Sequence, residues 1–210
     1  MDGAVLLDLD RTLVDLQSYT DYDRAWQAVQ PYVPSDLILD VPETGWSSAT
    51  RACMGVLAAL PDGELWWKIS GIIAEYENAA IAQSVAMPGA HAFAYSLRTA
   101  ARAVVTLLPE DVARDLLVQH QMDVPVVVGR DPRIRPKPSG DGLRRALELL
   151  EKPANDAVMI GDSTWDAAAA ADAGIKFIGV HSPLREFSEQ FPDVTVHDSL
   201  AEVFVALYRP

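Results

Sequence analysis

Apolar residues fall along this chain in two patterns. Short, largely apolar runs of strand length stand at 4–7, 103–107, 124–129, 157–160 and 176–180. Runs that do not alternate with polar residues read as strands buried on both faces of a parallel sheet. Between them apolar positions recur at helical spacing, which predicts helices over 90–101, 110–120 and 141–150 and an alanine-rich helix after Asp166 that ends at Ala173-Gly174. Strand and helix in alternation predict an α/β fold, a doubly wound parallel sheet with right-handed crossovers. A short helix over 182–191, a last strand at 194–196 and a terminal helix opened by the capping box Ser199-Leu200-Ala201-Glu202 complete the sheet's edge.

The alternation stops between residues 16 and 86, which read as mostly helical. Ser18-Tyr19-Thr20-Asp21 caps a helix running through Trp26 to Val29, and Pro31 and Pro34 break it. Residues 32–46 form an irregular loop. Ser47 or Ser48 caps a second helix reaching Leu60, Pro61-Asp62-Gly63 turns the chain, and one long amphipathic helix runs from Glu64 to about residue 86. Trp26, Trp46, Trp66 and Trp67 all lie in this insert. Trp26 is assigned to its core. Trp66 and Trp67 are neighbours about 100° apart on a helix and cannot face one side together, so at least one is assigned to a substrate-facing or partner surface. Met87-Pro88-Gly89 returns the chain to the α/β pattern. The expected organisation is an α/β core of residues 1–15 and 87–210 with a small α-helical domain of residues 16–86 inserted.

Composition narrows the partners. With 50% hydrophobic and 22% charged residues the chain is an ordinary globular protein. A net charge of -13 argues against a nucleic-acid backbone or an anionic membrane as partner, since both are held by basic patches. A small phosphorylated metabolite is compatible, because local cations and helix N-termini act over a few ångströms. Cys53 is the only cysteine, which excludes an intrachain disulfide and a multi-thiolate zinc site, and the four histidines show no metal-ligand spacing. No apolar run approaches transmembrane length and the first strand begins too close to Met1 for a signal peptide, so a cytoplasmic location is expected. The pattern leaves oligomeric state open.

The first apolar run delivers Asp8 and Asp10 to its carboxyl end, where open α/β sheets bind ligands. In an extended chain residues two apart point the same way, so both face one crevice only if something offsets their repulsion. A divalent cation is one solution, and magnesium takes oxygen ligands. The bland alternative is a strand that ends in solvent. Thr12 adds a hydroxyl and a tight turn beyond it.

The stretch Asp8-Leu9-Asp10-Arg11-Thr12-Leu13-Val14-Asp15 resembles the first motif of the haloacid dehalogenase superfamily, Asp-x-Asp-x-Thr after a hydrophobic strand, with Arg11 where many members have Gly. Thr106 at a strand end resembles the second motif and Lys137, set between prolines in the cationic loop 130–138, the third. Gly161-Asp162-Ser163-Thr164-Trp165-Asp166 resembles the fourth, Gly-Asp-x-x-x-Asp. The helical insert sits where the phosphoglycolate-phosphatase-like members carry their helical cap, and the resemblance spans nearly the whole chain.

This resemblance implies a Rossmann-like core with a cap and a Mg2+-dependent phosphatase acting on a sugar phosphate, a phosphoglycolate-like compound or a nucleotide. Asp8 would be the nucleophile, Asp10 the general acid and base, and Thr106 and Lys137 the partners of the phosphoryl group. The metal would take Asp8, the Asp10 backbone carbonyl and Asp162. Asp166 would hold a metal-bound water or Lys137, or serve as a helix-start acid with Ser163 as cap. Arg11, Thr12, Trp66 and Trp67 are the substrate candidates, with Arg11 altering the turn or the phosphate environment and Leu107-Leu108 making their side of the pocket more apolar. Asp10 separates the chain from dehalogenases, whose halide leaving group needs no acid, and Lys68, the sole cap lysine, has no surroundings that suit a Schiff base. A sugar-phosphate mutase on the same core and a catalytically weak binding or regulatory protein are the alternatives.

Overall fold

A computed structural model describes residues 3–39, 41–181, 187 and 190–208. Its centre is β1 (Ala4–Leu7), four residues buried on both faces. On one side of it lie β4 (Ala101–Val105) and then β5 (Val126–Val128); on the other lie β6 (Ala157–Gly161), β7 (Lys176–Val180) and β8 (Thr195–His197). All neighbours in this six-stranded sheet pair in parallel. Side chains alternate across the sheet as the pleat requires. Val5 and Leu7 face one layer, made by α4 (Ala90–Ser96), α5 (Glu110–Gln119) and α8 (Leu200–Tyr208). Ala4 and Leu6 face the other, made by α6 (Asp141–Leu150) and α7 (Thr164–Ala173). The expected doubly wound parallel sheet is therefore present, with the strand order reversing direction at β1.

The insert forms α1 (Tyr22–Val29), α2 (Ser48–Ala59) and α3 (Glu64–Ala80). Asp21 and Ser47 cap the first two by accepting the backbone N–H of Arg24 and Thr50. Their shared core includes Ala25, Cys53, Leu57, Trp66, Ile69 and Ile73. α3 stops at Ala80 rather than near residue 86, because Val85–Ala86 (β3) pairs antiparallel with Val14–Asp15 (β2). This two-strand ribbon, through which the chain leaves the sheet and returns to it, is too short to show a periodicity. β4 likewise begins two residues earlier than expected. Ala101 and Arg102 pair with Ala4 and Val5, and the buried Arg102 guanidinium bonds the carbonyls of Arg98 and Asp123. The expected short helix over 182–191 lies mostly outside the described residues. No helix among the described residues is long and apolar enough to cross a membrane.

Two further contacts fasten the helical insert over the sheet's carboxyl edge. Arg130, just beyond β5, donates to both carboxylate oxygens of Glu77 on α3, at 3.1 and 2.9 Å, and to Ser70 Oγ and O. Both partners of this ion pair are buried. Trp165 on α7 is buried within the insert's own core, packs against Trp46 with the rings tilted and their centroids 5.1 Å apart, and donates Nε1–H to the Pro42 carbonyl.

Trp66 is buried and donates its Nε1–H to the Leu57 carbonyl at 2.9 Å, whereas Trp67 is 54% exposed and meets Trp66 edge-on at 5.2 Å. Trp66→Ala is expected to destabilise the fold by about 3–5 kcal/mol, the usual range for deleting a core tryptophan. Trp67→Ala should cost less than about 1.5 kcal/mol. Urea unfolding of the two variants measures the difference, and equal losses would contradict this packing.

Candidate active site

Three strand ends and one loop build the site. β1 runs out into Asp8, β4 into Thr106 and β6 into Asp162, while the loop after β5 supplies Lys137. Asp8, Asp10, Thr106, Lys137, Asp162 and Asp166 line a single pocket under the insert. The strand that would end in solvent is thereby ruled out.

Lys137 is its centre. The ammonium is buried and donates to Asp8 Oδ1 at 2.5 Å and to Asp166 Oδ1 at 2.6 Å. Burial disfavours its charge, but Asp166 and Asp8 more than offset that and hold its pKa above the usual lysine value. The following Lys137-Pro138 peptide is cis. The rest of the cationic loop turns elsewhere: Arg133 pairs with Asp131, Arg135 with Asp141, and Arg130 with Glu77.

Asp166 answers both of its expected descriptions at once. It holds Lys137 through Oδ1, and through Oδ2 it accepts the N–H and Oγ–H of Ser163 in a capping box that starts α7. Gly161 makes this possible, since a Cβ there would stand 2.5 Å from the Asp166 carboxyl carbon.

Asp8, Asp162 and Asp166 each offer a carboxylate oxygen within 4.8 Å of the others, all buried. Desolvation pushes the Asp8 pKa up to about 6 against the pull of Lys137, and burial with the Asp8 and Asp166 charges drives Asp162 well up. The donor set is all oxygen, without sulfur or imidazole, and carries more negative charge than the one ammonium offsets. That chemistry fits a hard divalent cation such as Mg2+. The Asp10 carboxylate stands apart from this trio. Its Oδ1 accepts the backbone N–H of Leu16 at 2.9 Å and Gln17 at 3.0 Å, which fixes it at the mouth of the insert. Burial raises its pKa to about 7, the two N–H bonds notwithstanding.

The substrate candidates divide. Arg11 takes φ 63°, a left-handed turn that favours glycine, and its guanidinium lies 3.8 Å from Asp162 without lining the pocket. Thr12 is buried in the turn, with no hydrogen-bond partner for its hydroxyl among the described residues. Trp66 and Trp67 do not reach the pocket, since one is consumed by the insert's core and the other faces solvent. The aromatics that do line it are Trp46 and Tyr22, with Met54 and the neutral polar Gln17 and Thr50 beside them. Trp46 sits in the proline-rich loop and is positioned by Trp165 across the interface, a contact that local sequence does not announce. Leu107 and Leu108 line the pocket, as their expected apolar contribution requires.

Comparison with known proteins agrees with this architecture. Residues 5–180 match the family model described as haloacid dehalogenase-like hydrolase. A phosphoglycolate phosphatase of Rhodospirillum rubrum is 30% identical over 196 residues, covering 85% of this chain and 79% of the relative. A relative in Caldanaerobacter subterraneus is 33% identical over 101 residues, so the match spans 46% of either protein. Among solved structures, a hydrolase from Pseudomonas syringae superposes with a TM-score of 0.73 at 20% identity, covering 98% of each chain.

Asp8 and Asp162 hold protons more tightly in the metal-free fold than in the unfolded chain. The Asp8 contribution is therefore fully stabilising below about pH 4 and is lost as pH rises through about 6, and that of the likewise raised Asp162 has the same sign. Asp162→Asn removes one of these carboxylates. Without metal, the variant should melt several degrees above the wild type at pH 8, at about 2–4 °C per kcal/mol for a chain of this size, with a smaller gain at pH 4.5. Mg2+ should raise the melting temperature of the wild type at pH 8 and leave the variant's unchanged. Thermal scans with and without Mg2+ read both effects.

Proposed function

The chain belongs to the haloacid dehalogenase-like hydrolase family, and from that premise we propose that it is a Mg2+-dependent phosphatase of small phosphomonoesters, working through an aspartyl phosphate on Asp8. The observation that carries this reading is the buried Lys137 ammonium bridging Asp8 and Asp166 beside Asp162, with a separately held Asp10 at the same pocket. Lys137 holds Asp8 by Oδ1, and the second oxygen is the nucleophile. It forms a bond to phosphorus as the bond to the ester oxygen breaks. Asp10, with a pKa near 7, gives its proton to the departing alkoxide. In the second half, the Asp10 carboxylate takes a proton from water, the water oxygen attacks phosphorus, and the bond to Asp8 breaks to release phosphate. The Thr106 hydroxyl and the Lys137 ammonium are the donors for the phosphoryl oxygens. Asp8, the Asp10 carbonyl and Asp162 would hold Mg2+, which when bound supplies charge neutralisation around the phosphoryl group.

Residues 16–86 act as the cap over the core of residues 1–15 and 87–210. In the arrangement seen here about 30 Å³ of free space remains in the pocket, room for about two waters. A phosphoester is admitted only when cap and core part, and their closure then excludes bulk water.

Phosphate release from p-nitrophenyl phosphate is expected to require Mg2+ and to fall by about 10⁴-fold or more in Asp8→Asn, as for other covalent nucleophiles. Asp10→Asn should cost about 10²–10⁴-fold, and more on an alkyl ester whose poorer leaving group depends on the acid. Equal rates for Asp8→Asn and the wild type would eliminate the covalent mechanism.

A further inference from the structure

The part of the pocket that must accept the alcohol half of the ester carries no positive charge. The insert from residue 16 to 86 contains three basic residues, Arg24, Arg51 and Lys68. Arg24 pairs with Asp21, Arg51 with Glu43, and Lys68 lies 3.6 Å over the Tyr32 ring, so each is engaged outside the pocket. Arg130 does cross the cap–core interface, yet its side chain is 1% exposed and its guanidinium is spent on Glu77, Ser70 and the Leu107 carbonyl. Among the described residues lining the pocket, Lys137 is the one cation, and Asp8 and Asp166 already hold it.

What faces the reacting carboxylates from the other side is neutral. Trp46, Tyr22, Met54 and Leu107 give an aromatic and apolar wall, and Gln17 and Thr50 add uncharged hydrogen-bonding groups. Tyr22 donates its hydroxyl to Glu77 at 3.2 Å, which commits its polar end away from a ligand. A second anionic group on the substrate, such as the carboxylate of phosphoglycolate or the far phosphate of a bisphosphate, would be buried beside four aspartates with no cation on the insert's side of the pocket to pair with it. Such burial is strongly unfavourable.

We propose that the substrate class is the phosphate monoester of an uncharged alcohol with a flat or apolar body, which Trp46 and its neighbours cover once the cap closes. The inference rests on the phosphatase reading above and narrows it. It also separates this chain from the phosphoglycolate phosphatases it resembles, since their named substrate carries a carboxylate next to the ester.

The test is steady-state kinetics of the Mg2+-loaded protein on two matched pairs, benzyl phosphate against 4-carboxybenzyl phosphate and ethyl phosphate against phosphoglycolate. The two benzyl alcohols leave almost equally well, so their comparison isolates the charge. The neutral member of each pair is expected to have a kcat/KM at least about tenfold higher, and benzyl phosphate to exceed ethyl phosphate by about tenfold, the scale of discrimination in an apolar pocket. Trp46→Ala should narrow the benzyl-to-ethyl ratio. Gln17→Lys should lower KM for 4-carboxybenzyl phosphate relative to benzyl phosphate, with folding checked by melting temperature. Phosphoglycolate or the carboxybenzyl ester turned over as well as its neutral partner would overturn the assigned class and leave the phosphatase standing. No phosphate release from any of the four would remove the phosphatase reading and this inference with it.

Discussion

Everything at the carboxyl edge of the sheet depends on one buried ammonium. Asp8, Asp162 and Asp166 converge on a volume from which water is largely excluded, and burial together with mutual repulsion makes Asp8 and Asp162 resist ionisation. Lys137 makes the arrangement tolerable by donating to two of them at once. It also ties the end of β1 to the start of α7, residues 158 positions apart in the chain, so the charge pair fixes geometry as well as neutralising it. Its loop is held at both ends, by the ladder of β5 and by Gly140 at the start of α6, whose N–H bonds Asp172.

A second buried charge pair performs the same office one layer out. Arg130 and Glu77 are as thoroughly desolvated as the lysine cluster, and the arginine's remaining donors are satisfied by Ser70 and the Leu107 carbonyl. Breaking such a pair by losing one partner is expensive, on the order of 3–5 kcal/mol, although its net worth against an apolar replacement is small. Its value here is specificity of position. It sets α3 against the loop that follows Thr106, so the chain segment that covers the pocket and the strand end that lines it share one hydrogen-bonded unit. Trp165 complements it from the opposite side, a core residue that completes the hydrophobic cluster of the insert.

The two halves of the pocket are chemically unlike. The sheet side is crowded with carboxylates around a single cation. The cap side is neutral and partly aromatic, and Asp10 stands between them with its carboxylate fixed by the backbone of Leu16 and Gln17. In the phosphatase reading proposed above, a proton donor placed there would meet the ester oxygen, the one atom that belongs to both halves of a substrate. Its raised pKa follows from that boundary position, where burial outweighs the two N–H bonds it receives.

Much of this was legible in the chain itself. Apolar runs of strand length that alternate with helical patterns read as strands covered on both faces, so the parallel sheet and the positions of its strand ends could be placed from pattern. Thus Asp8 was found because the first strand's end has little freedom, while Thr106 and Asp162 were singled out at their strand ends by resemblance to the family's motifs. Side-chain partnerships between distant segments carry no such period. The pairing of Arg130 with Glu77, the ribbon of Val14–Asp15 with Val85–Ala86, the outward turn of Trp67 and the arrival of Trp46 at the pocket were decided by how the helical insert settles on the sheet. Local sequence determined what each segment became and where its chemistry sat along the strand. Only packing decided which surfaces meet, because that choice depends on the joint burial of groups far apart in the chain.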